Sequence, residues 1–490
     1  MKHVLAIDQG TTGTTCLVVR ADGAVAARAY REITQHYPRP GWVEHDAVEI
    51  FQRTCEAARE AIEMAGVTPV AVGITNQRET IIVWERETGR PVSRAIVWQD
   101  RRTSARCAEL APRGAEIATR TGLVVDPYFS ATKLEWLLRE EALERRAARG
   151  ELLAGTIDAW LIWTLTGGEV HATDPTNASR TMLYDIDAGA WSPELCALFG
   201  VPLAMLPDVR RSAGDFGVAR REHLGVELPI CGVAGDQQAA LYGQGCWAGG
   251  EGKNTYGTGA FLLFNAGAAR PKGGGGLLTT VACDASGGPV YALEAAIFVA
   301  GAAVQWLRDG LQLVESAAET ESLARSVEST GGVYFVPALV GLGAPHWAPE
   351  ARGTIVGITR GTSRAHLARA ALEAMAYGTA DVAAAVREQG VALDRLRVDG
   401  GATANDWLMQ FQSDVLQVVV ERPAMIETTA LGAAGLAGVT AGVWRSPGEF
   451  LAAHDFTRFS PQRAAAEVRA GYAGWQRAVR AALAWADDRP

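Results

Sequence analysis

The sequence predicts an α/β protein of two large domains, and three observations carry that prediction. A chain of 490 residues, 48% hydrophobic and 21% charged, is too long for a single core. Short apolar strands alternate with stretches of helical period in both halves. A turn of glycines and threonines beside an apolar strand occurs near the start, at Asp8 to Thr15, and returns midway, at Asn254 to Gly259. By composition the best boundary is Cys246 to Lys253, with Gly249-Gly250-Glu251-Gly252 at its centre, so the expected domains are 1–246 and 247–490.

In order, Val4 to Ile7 reads as a strand that runs into Asp8-Gln9-Gly10-Thr11-Thr12-Gly13-Thr14-Thr15 and out again through Leu17 to Val19. Val25 to Ala29 supplies a third strand. Asp46 and Glu49 form a capping box for a helix whose Val48, Phe51, Cys55, Ala58 and Ile62 fall on one stripe. Val70 to Ile74, Ile81 to Trp84 and Ile96 to Trp98 are further strands of a mixed sheet. Between them Thr75 to Thr80 is too polar for a sheet centre and sets Arg78 beside Glu79 at a strand end. Ser104 to Glu151 turns helical and reads as an insertion. Ile157 to Trp163 is apolar, and Ile230 to Ala234 is a strand ending in Gly235-Asp236-Gln237-Gln238, with a helix starting at Ala239.

The second half supplies strands at Phe261 to Phe264, Leu277 to Ala282, Val290 to Leu293 and Val333 to Pro337. A helix over Phe298 to Leu307 carries Gly301 and Gln305 one turn apart. Ser363 to Glu388 is a long Ala-rich helix. Leu393 to Val398 is a strand that breaks into Asp399-Gly400-Gly401-Ala402-Thr403-Ala404-Asn405 before a helix over Trp407 to Leu416.

Composition narrows the function classes. A formal net charge of −9 with no basic stripe argues against nucleic acid as a partner. No run of about 18 apolar residues occurs, so no membrane span is expected. Met1-Lys2-His3 leads into a strand too short for a signal peptide. The seven cysteines are scattered singly without a C-x-x-C pair, as reduced thiols of a cytoplasmic protein.

The turns carry the chemistry. Glycines at 10 and 13 let backbone amides approach an anion, threonine hydroxyls add donors, and a strand-end Asp8 can hold hydrated Mg²⁺; an ordinary hairpin turn is the alternative. Arg78-Glu79 offers donors and an acceptor to a polyol, or is a surface ion pair. Asp236 lies where α/β sheets bind ligands, and also where a helix cap would lie. Gly400-Gly401 lets a flat or anionic ligand lie on bare backbone, or is only a turn. The G-x-x-x-x-G-K-[ST], G-x-G-x-x-G and protein-kinase motifs are absent. A nucleotide clamped between two domains, each giving a hairpin of small residues, needs none of them; that is the arrangement of actin-like ATPases, with the site in the interdomain cleft.

Seven segments make the likeness specific: Ile7 to Thr12, Gly73 to Thr80, Trp98 to Thr103, Asp126 to Ser130, Ala234 to Leu241, Asn254 to Gly259 and Asp399 to Ala402. Together with Gly353 to Glu373 around His366, they run in order over essentially the whole chain. They closely resemble the glycerol-phosphorylating branch of the FGGY family of carbohydrate kinases. The resemblance implies two ribonuclease-H-like domains and transfer of the ATP γ-phosphate to a terminal hydroxyl of glycerol. By carry-over, Arg78, Glu79, Tyr128, Asp236 and Gln237 bind the hydroxyls, while Trp98 and Phe261 wall the carbons. Asp236 is the general base, and Asp8 holds Mg²⁺ through water with Asp236 nearby. The turn Gly10, Thr11, Thr12 and Gly13 cradles the phosphates with Thr258. Gly301, Gln305, Gly401, Ala402 and Asn405 hold the rest of the nucleotide. A homodimer or homotetramer is implied by the resemblance alone.

Two departures stand out. The family's opening turn usually continues to an arginine that reaches the ATP phosphates, whereas Thr15 stands there. Enteric members carry a Gly-rich loop with an arginine for a sugar bisphosphate inhibitor where this chain reads Arg220-Arg221-Glu222-His223-Leu224-Gly225-Val226-Glu227, so that inhibition is not expected. The alternatives are a kinase of the same fold for another polyol or a ketopentose, and a non-catalytic actin-like ATPase module.

Overall fold

The computed structural model describes residues 1–425 and 427–487, and the chain divides into two compact units. The first comprises Met1–Trp247 with Thr279–Ala292 and Glu427–His454; the second takes the remaining described residues. Two contiguous halves would leave out the two later segments that return to the first unit. The larger of these carries the helix Thr428–Thr440, built almost wholly of small residues and buried from Thr428 through Gly438 except at Thr429. It lies directly on the first unit's sheet: a methyl on Gly73 would collide with the Ala433 carbonyl, and one on Gly432 with the Ala239 carbonyl. A helix apolar all round has no polar face to reveal its side, so its sequence does not say which core it joins.

Each unit is built around the same five-strand theme. In the first, His3–Gln9 pairs antiparallel with Gly13–Arg20 and parallel with Ala71–Asn76, which pairs parallel with Leu228–Gly235. Val25–Glu32 extends the hairpin side. In the second, Glu251–Tyr256 pairs antiparallel with Ala260–Gly267 and parallel with Arg395–Asp399, which pairs parallel with Val419–Pro423; Pro289–Ile297 extends the hairpin side. This repeat is the ribonuclease-H-like arrangement expected of both domains. The central strands, with a partner on each side, are apolar on both faces, as Val4 to Ile7 and Val72 to Ile74 show. Separate cores form around Leu5, Ile7, Val72 and Ile74 in one unit and Leu262, Phe264, Leu396 and Val398 in the other.

Several local expectations shift. The first helix spans Ala47–Ala65, and its buried face is Ala47, Ile50, Thr54, Cys55, Ala57, Ala58 and Ala61. Val48 is exposed, because the sheet-facing stripe lies one position off the one its spacing suggested. Asp46 caps the Val48 and Glu49 amides, but the Glu49 carboxylate accepts from Thr34 N and Oγ1 and so does not close a box. Thr75 and Asn76 continue a strand instead of leaving it, and every residue from Thr75 to Thr80 is buried. The helix expected from Phe298 begins at Gly301, runs to Gln305 and passes into a π turn over Trp306–Gly310. All seven cysteines are free. Among the described residues no helix is long and apolar enough to cross a membrane.

Candidate active site

The first turn is closed by Gly10 N donating to Gly13 O at 2.9 Å. Strand register sets Asp8 opposite Thr15 and Gln9 opposite Thr14. Gly13 has a steric reason of its own: an added Cβ would lie 2.6 Å from the Tyr30 hydroxyl, which itself donates to Thr12 O at 3.3 Å. Burial and the negative charge of Asp236 push the Asp8 carboxyl up to about 7. Among the described residues no group of three or more His, Cys, Asp or Glu side chains gathers into a metal cage. The carboxylates of Asp8 and Asp236 are hard oxygen donors, and they suit Mg²⁺, which keeps most of its water and takes only one or two protein ligands.

The polyol segment is buried, which removes the surface-ion-pair alternative: the Arg78 and Glu79 side chains are 3% and 2% exposed. Arg78 Nε reaches Asp236 Oδ1 at 3.2 Å, its Nη1 donates to Gln238 Oε1 at 3.2 Å, and its Nη2 to the Tyr128 hydroxyl at 3.4 Å. Tyr128 meets Trp98 edge to face, with ring centroids 5.6 Å apart. Glu79 adopts a left-handed backbone with φ 61, a conformation that costs about 1–3 kcal/mol and persists only where its surroundings impose it. Here they do: Ser130 Oγ donates to Glu79 O at 2.9 Å, and Arg180 Nε donates to Glu79 Oε1 at 2.7 Å.

Asp236 opens the helix Asp236–Gly243 and is capped from behind by its own neighbour, Gln237 N donating to Asp236 Oδ1 at 2.7 Å. It is the first helical residue, with Gly235 at the cap, so the carboxylate is free of the usual N-cap duty and about one-third exposed. Gln237 is half-buried beside it, while Gln238 is the glutamine whose side chain touches Arg78. Nothing in a Gln-Gln doublet says which of the two turns inward.

Three further groups escaped sequence reading. Arg180 is fully buried against Glu79 and packs over the Phe129 ring at 5.1 Å. Lys133 donates to Tyr128 O at 3.0 Å; burial pushes its amine down to about 7, against the opposing pull of Glu79, Asp100 and Asp126. Asp174, whose carboxyl burial raises, accepts from Ser212 Oγ at 2.6 Å and caps the Thr176 and Asn177 amides. Thr176 Oγ1 in turn accepts from Gly235 N at 2.8 Å, and Asn177 pairs with Asn76, so both strand ends that carry the cluster are pinned by one buried network. Arg180 and Asp174 flank a short helical turn and Lys133 lies on the helix Ser130–Glu140, places where a charged side chain is unremarkable by sequence.

In the second unit, Gly257 N donates to Gly259 O at 2.8 Å, and the turn is held by Ala300 N and Ala302 N on Thr258 O and by Gly301 N on Gly257 O. A cavity of about 590 Å³ opens beside it. Thr258, Gly301, Gln305, Gly401, Ala402 and Asn405 all line it, which brings together six residues drawn from three separate stretches of sequence. Arg308 and Thr320 also face it and were not foreseen. Asn405 caps the helix Asp406–Leu416 through Leu408 N. Phe261 stands on the strand after the turn, 39% exposed. His366 accepts at Nδ1 from Ser363 N in the capping box of the long helix Arg364–Glu388, a structural task. In the first unit Arg220 pairs with Glu169 and His223 packs on Phe51.

Comparison with known proteins follows the same lines. Residues 3–243 match the model of the FGGY family of carbohydrate kinases, N-terminal domain, and residues 252–441 match its C-terminal domain. A glycerol kinase of Thermus brockianus is 54% identical over 100% of both chains. A protein named glycerol kinase 2 in Thermotoga maritima is 52% identical over 99% of each. The crystal structure of Plasmodium falciparum glycerol kinase with ADP superposes with a TM-score of 0.94 at 35% identity, covering 99% of this chain and 98% of that one.

Proposed function

The chain belongs to the FGGY family of carbohydrate kinases, and from that premise we propose that it phosphorylates glycerol with ATP, giving sn-glycerol 3-phosphate and ADP. The observation that carries this reading is the cluster of buried Arg78 and Glu79 with half-buried Tyr128 and Trp98 around Asp236, which is about one-third exposed. A three-carbon polyol needs several donors and acceptors over a small apolar wall, and this cluster supplies both. Relatives named glycerol kinase at 52–54% identity over the full chain support the same choice.

In this reading Arg78 and Tyr128 donate to the glycerol hydroxyls, Glu79 and Gln237 accept or donate at its edge, and Trp98 and Phe261 cover the carbons. Asp236 takes the proton of the attacking hydroxyl as its oxygen bonds to the γ-phosphorus and the bond from that phosphorus to the ADP oxygen breaks. Arg78, 3.2 Å from Asp236, keeps the carboxylate aimed. Gly10 to Gly13 and Thr258 hold phosphates, and the 590 Å³ cavity beside Gly301, Gln305, Gly401, Ala402 and Asn405 takes the remainder of the nucleotide. Asp8, with Asp236 close by, would hold Mg²⁺. When bound, that ion neutralises charge on the transferring phosphoryl group. The catalytic work is mostly alignment and charge balance. A cytoplasmic homodimer or homotetramer belongs to the same proposal, by family resemblance.

A substrate panel with coupled detection of ADP tests the reading. Glycerol-dependent ADP release well above that with ketopentoses or other polyols is expected. Preference for a ketose assigns the chain to a sibling activity, and ADP release that ignores every polyol overturns the kinase assignment.

A further inference from the structure

The turn that carries Thr11 and the segment that carries Arg78 and Glu79 lie on different strands, yet a closed circuit of side chains joins them. Gln35 Nε2 donates to Thr11 O at 2.8 Å, and Gln35 Oε1 meets His45 Nε2 at 2.7 Å. On the other side of the ring, His45 Nδ1 meets Gln77 Nε2 at 3.4 Å. Thr80 Oγ1 donates to Gln77 Oε1 at 3.0 Å and accepts from Trp98 N at 3.2 Å. Trp98 Nε1 then donates to Thr11 Oγ1 at 2.9 Å, which closes the loop on the residue where it began. Gln77 is tied to the turn a second time, through Nε2 to Gln9 Oε1 at 3.0 Å.

The circuit has a defined direction. Gln35 Oε1 can only accept, so His45 Nε2 carries a hydrogen; Gln77 Nε2 can only donate, so His45 Nδ1 is bare. That is the neutral imidazole, in keeping with burial and the neighbouring His36, which hold the His45 pKa down to about 4. His45 and Thr80 are fully buried, and neither is needed to hold a ligand. A circuit of oriented amides, one imidazole and two hydroxyls has few ways to rearrange without breaking, because each link fixes the donor sense of the next.

We propose that Gln35, His45 and Thr80 are positioning residues that couple the phosphate turn to the polyol segment, so that glycerol seated against Trp98 and Arg78 stiffens Thr11 for the nucleotide. The inference rests on the glycerol-kinase reading and adds coupling between the two ligands. Coupling of this kind is reciprocal: whatever factor glycerol gives to nucleotide affinity, nucleotide gives to glycerol.

The test uses the full-length protein and calorimetric binding of a non-hydrolysable ATP analogue with Mg²⁺, with and without saturating glycerol. Two near-isosteric variants cut opposite arcs of the circuit: Gln35→Glu, which loses the donor to Thr11 O, and Thr80→Val, which loses both hydroxyl links. Wild-type protein should bind the analogue roughly fivefold or more tightly with glycerol present, and each variant should bring that factor below about twofold. In both variants kcat should fall more than the KM for glycerol rises, with the melting temperature nearly kept. Should Thr80→Val fail to fold, Gln35→Glu at the half-buried rim carries the test alone. Retained coupling in the folded variants overturns the proposal, as does an active wild type without coupling. Absence of glycerol-dependent turnover in the wild type is a different failure, of the glycerol-kinase reading itself.

Discussion

In the first unit Gly10 N reaches Gly13 O at 2.9 Å; in the second Gly257 N reaches Gly259 O at 2.8 Å, each at the end of a strand with an antiparallel partner on one side and a parallel one on the other. Two residues before the leading glycine the first turn has Asp8, with Thr75 beside it on the parallel strand; the second has Thr255, with Asp399 beside it. The acid has thus changed strands between the two copies. The bracing differs as well. The first turn is held by the side chains of Gln35, Trp98 and Tyr30 in addition to the backbone amides of Ile33 and Gln77, whereas the second is held by backbone amides of Ala300, Gly301 and Ala302. Side-chain bracing ties a turn to whatever else those side chains touch, and backbone bracing makes it a fixed platform. In the proposed function the first turn meets the reacting end of the nucleotide and the second its anchorage.

Substitutions can break one turn's task without the other's. The largest effect is expected from Asp236→Asn, which removes the proton acceptor: kcat should fall by about a hundredfold or more, with nucleotide affinity kept. Steady-state kinetics beside calorimetry reads both, and near-normal turnover would remove Asp236 as the base. Next is Gly301→Ala, whose methyl would lie 2.6 Å from the Gly257 carbonyl. Nucleotide affinity should drop about tenfold with little change in glycerol KM, the mark of a damaged anchor.

Asp8→Asn separates function from stability. Because the folded-state pKa is raised from 3.8 to about 7, the native protein loses stability as pH climbs between those values, while the neutral variant does not. Without Mg²⁺ the variant should therefore be the more stable at pH 8 by about 1 kcal/mol, with the advantage gone near pH 4, although its activity is lost. Denaturant titrations at the two pH values check it. The smallest change is expected from Thr15→Arg, which sets a cation opposite Asp8 in the strand register. It should lower the pH at which activity falls on the acid side and raise nucleotide affinity about two- to fivefold; no change would mean that the turn meets the phosphate charge by other means.

Much of this was legible in the sequence because the turns are local. Asp8 to Thr15 and Asn254 to Gly259 each declare themselves by glycines at a strand end, and Gly401 with Asn405 by a Gly-Gly break before a helix. The cavity of the second unit is lined by Thr258, Gly401 and Asn405 from the last two of these stretches. What stayed hidden depends on long-range burial. Arg180 and Asp174 are polar residues flanking a short helical turn until the fold buries them against Glu79 and Ser212. The helix Thr428–Thr440 returns to the first unit through contacts between glycines and backbone, which leave no periodic signature. The segment Thr75 to Thr80 misleads in the opposite sense, since polarity suggested a surface and its groups satisfy one another inside.

The central claim is that the two turns serve one transfer from ATP to glycerol. Its most direct test is the ³¹P NMR spectrum of a reaction holding the protein, Mg-ATP and glycerol. Loss of ATP matched by equal amounts of ADP and glycerol 3-phosphate is predicted, with neither formed by Asp236→Asn. ADP matched by inorganic phosphate, with no phosphate ester of glycerol, would contradict it.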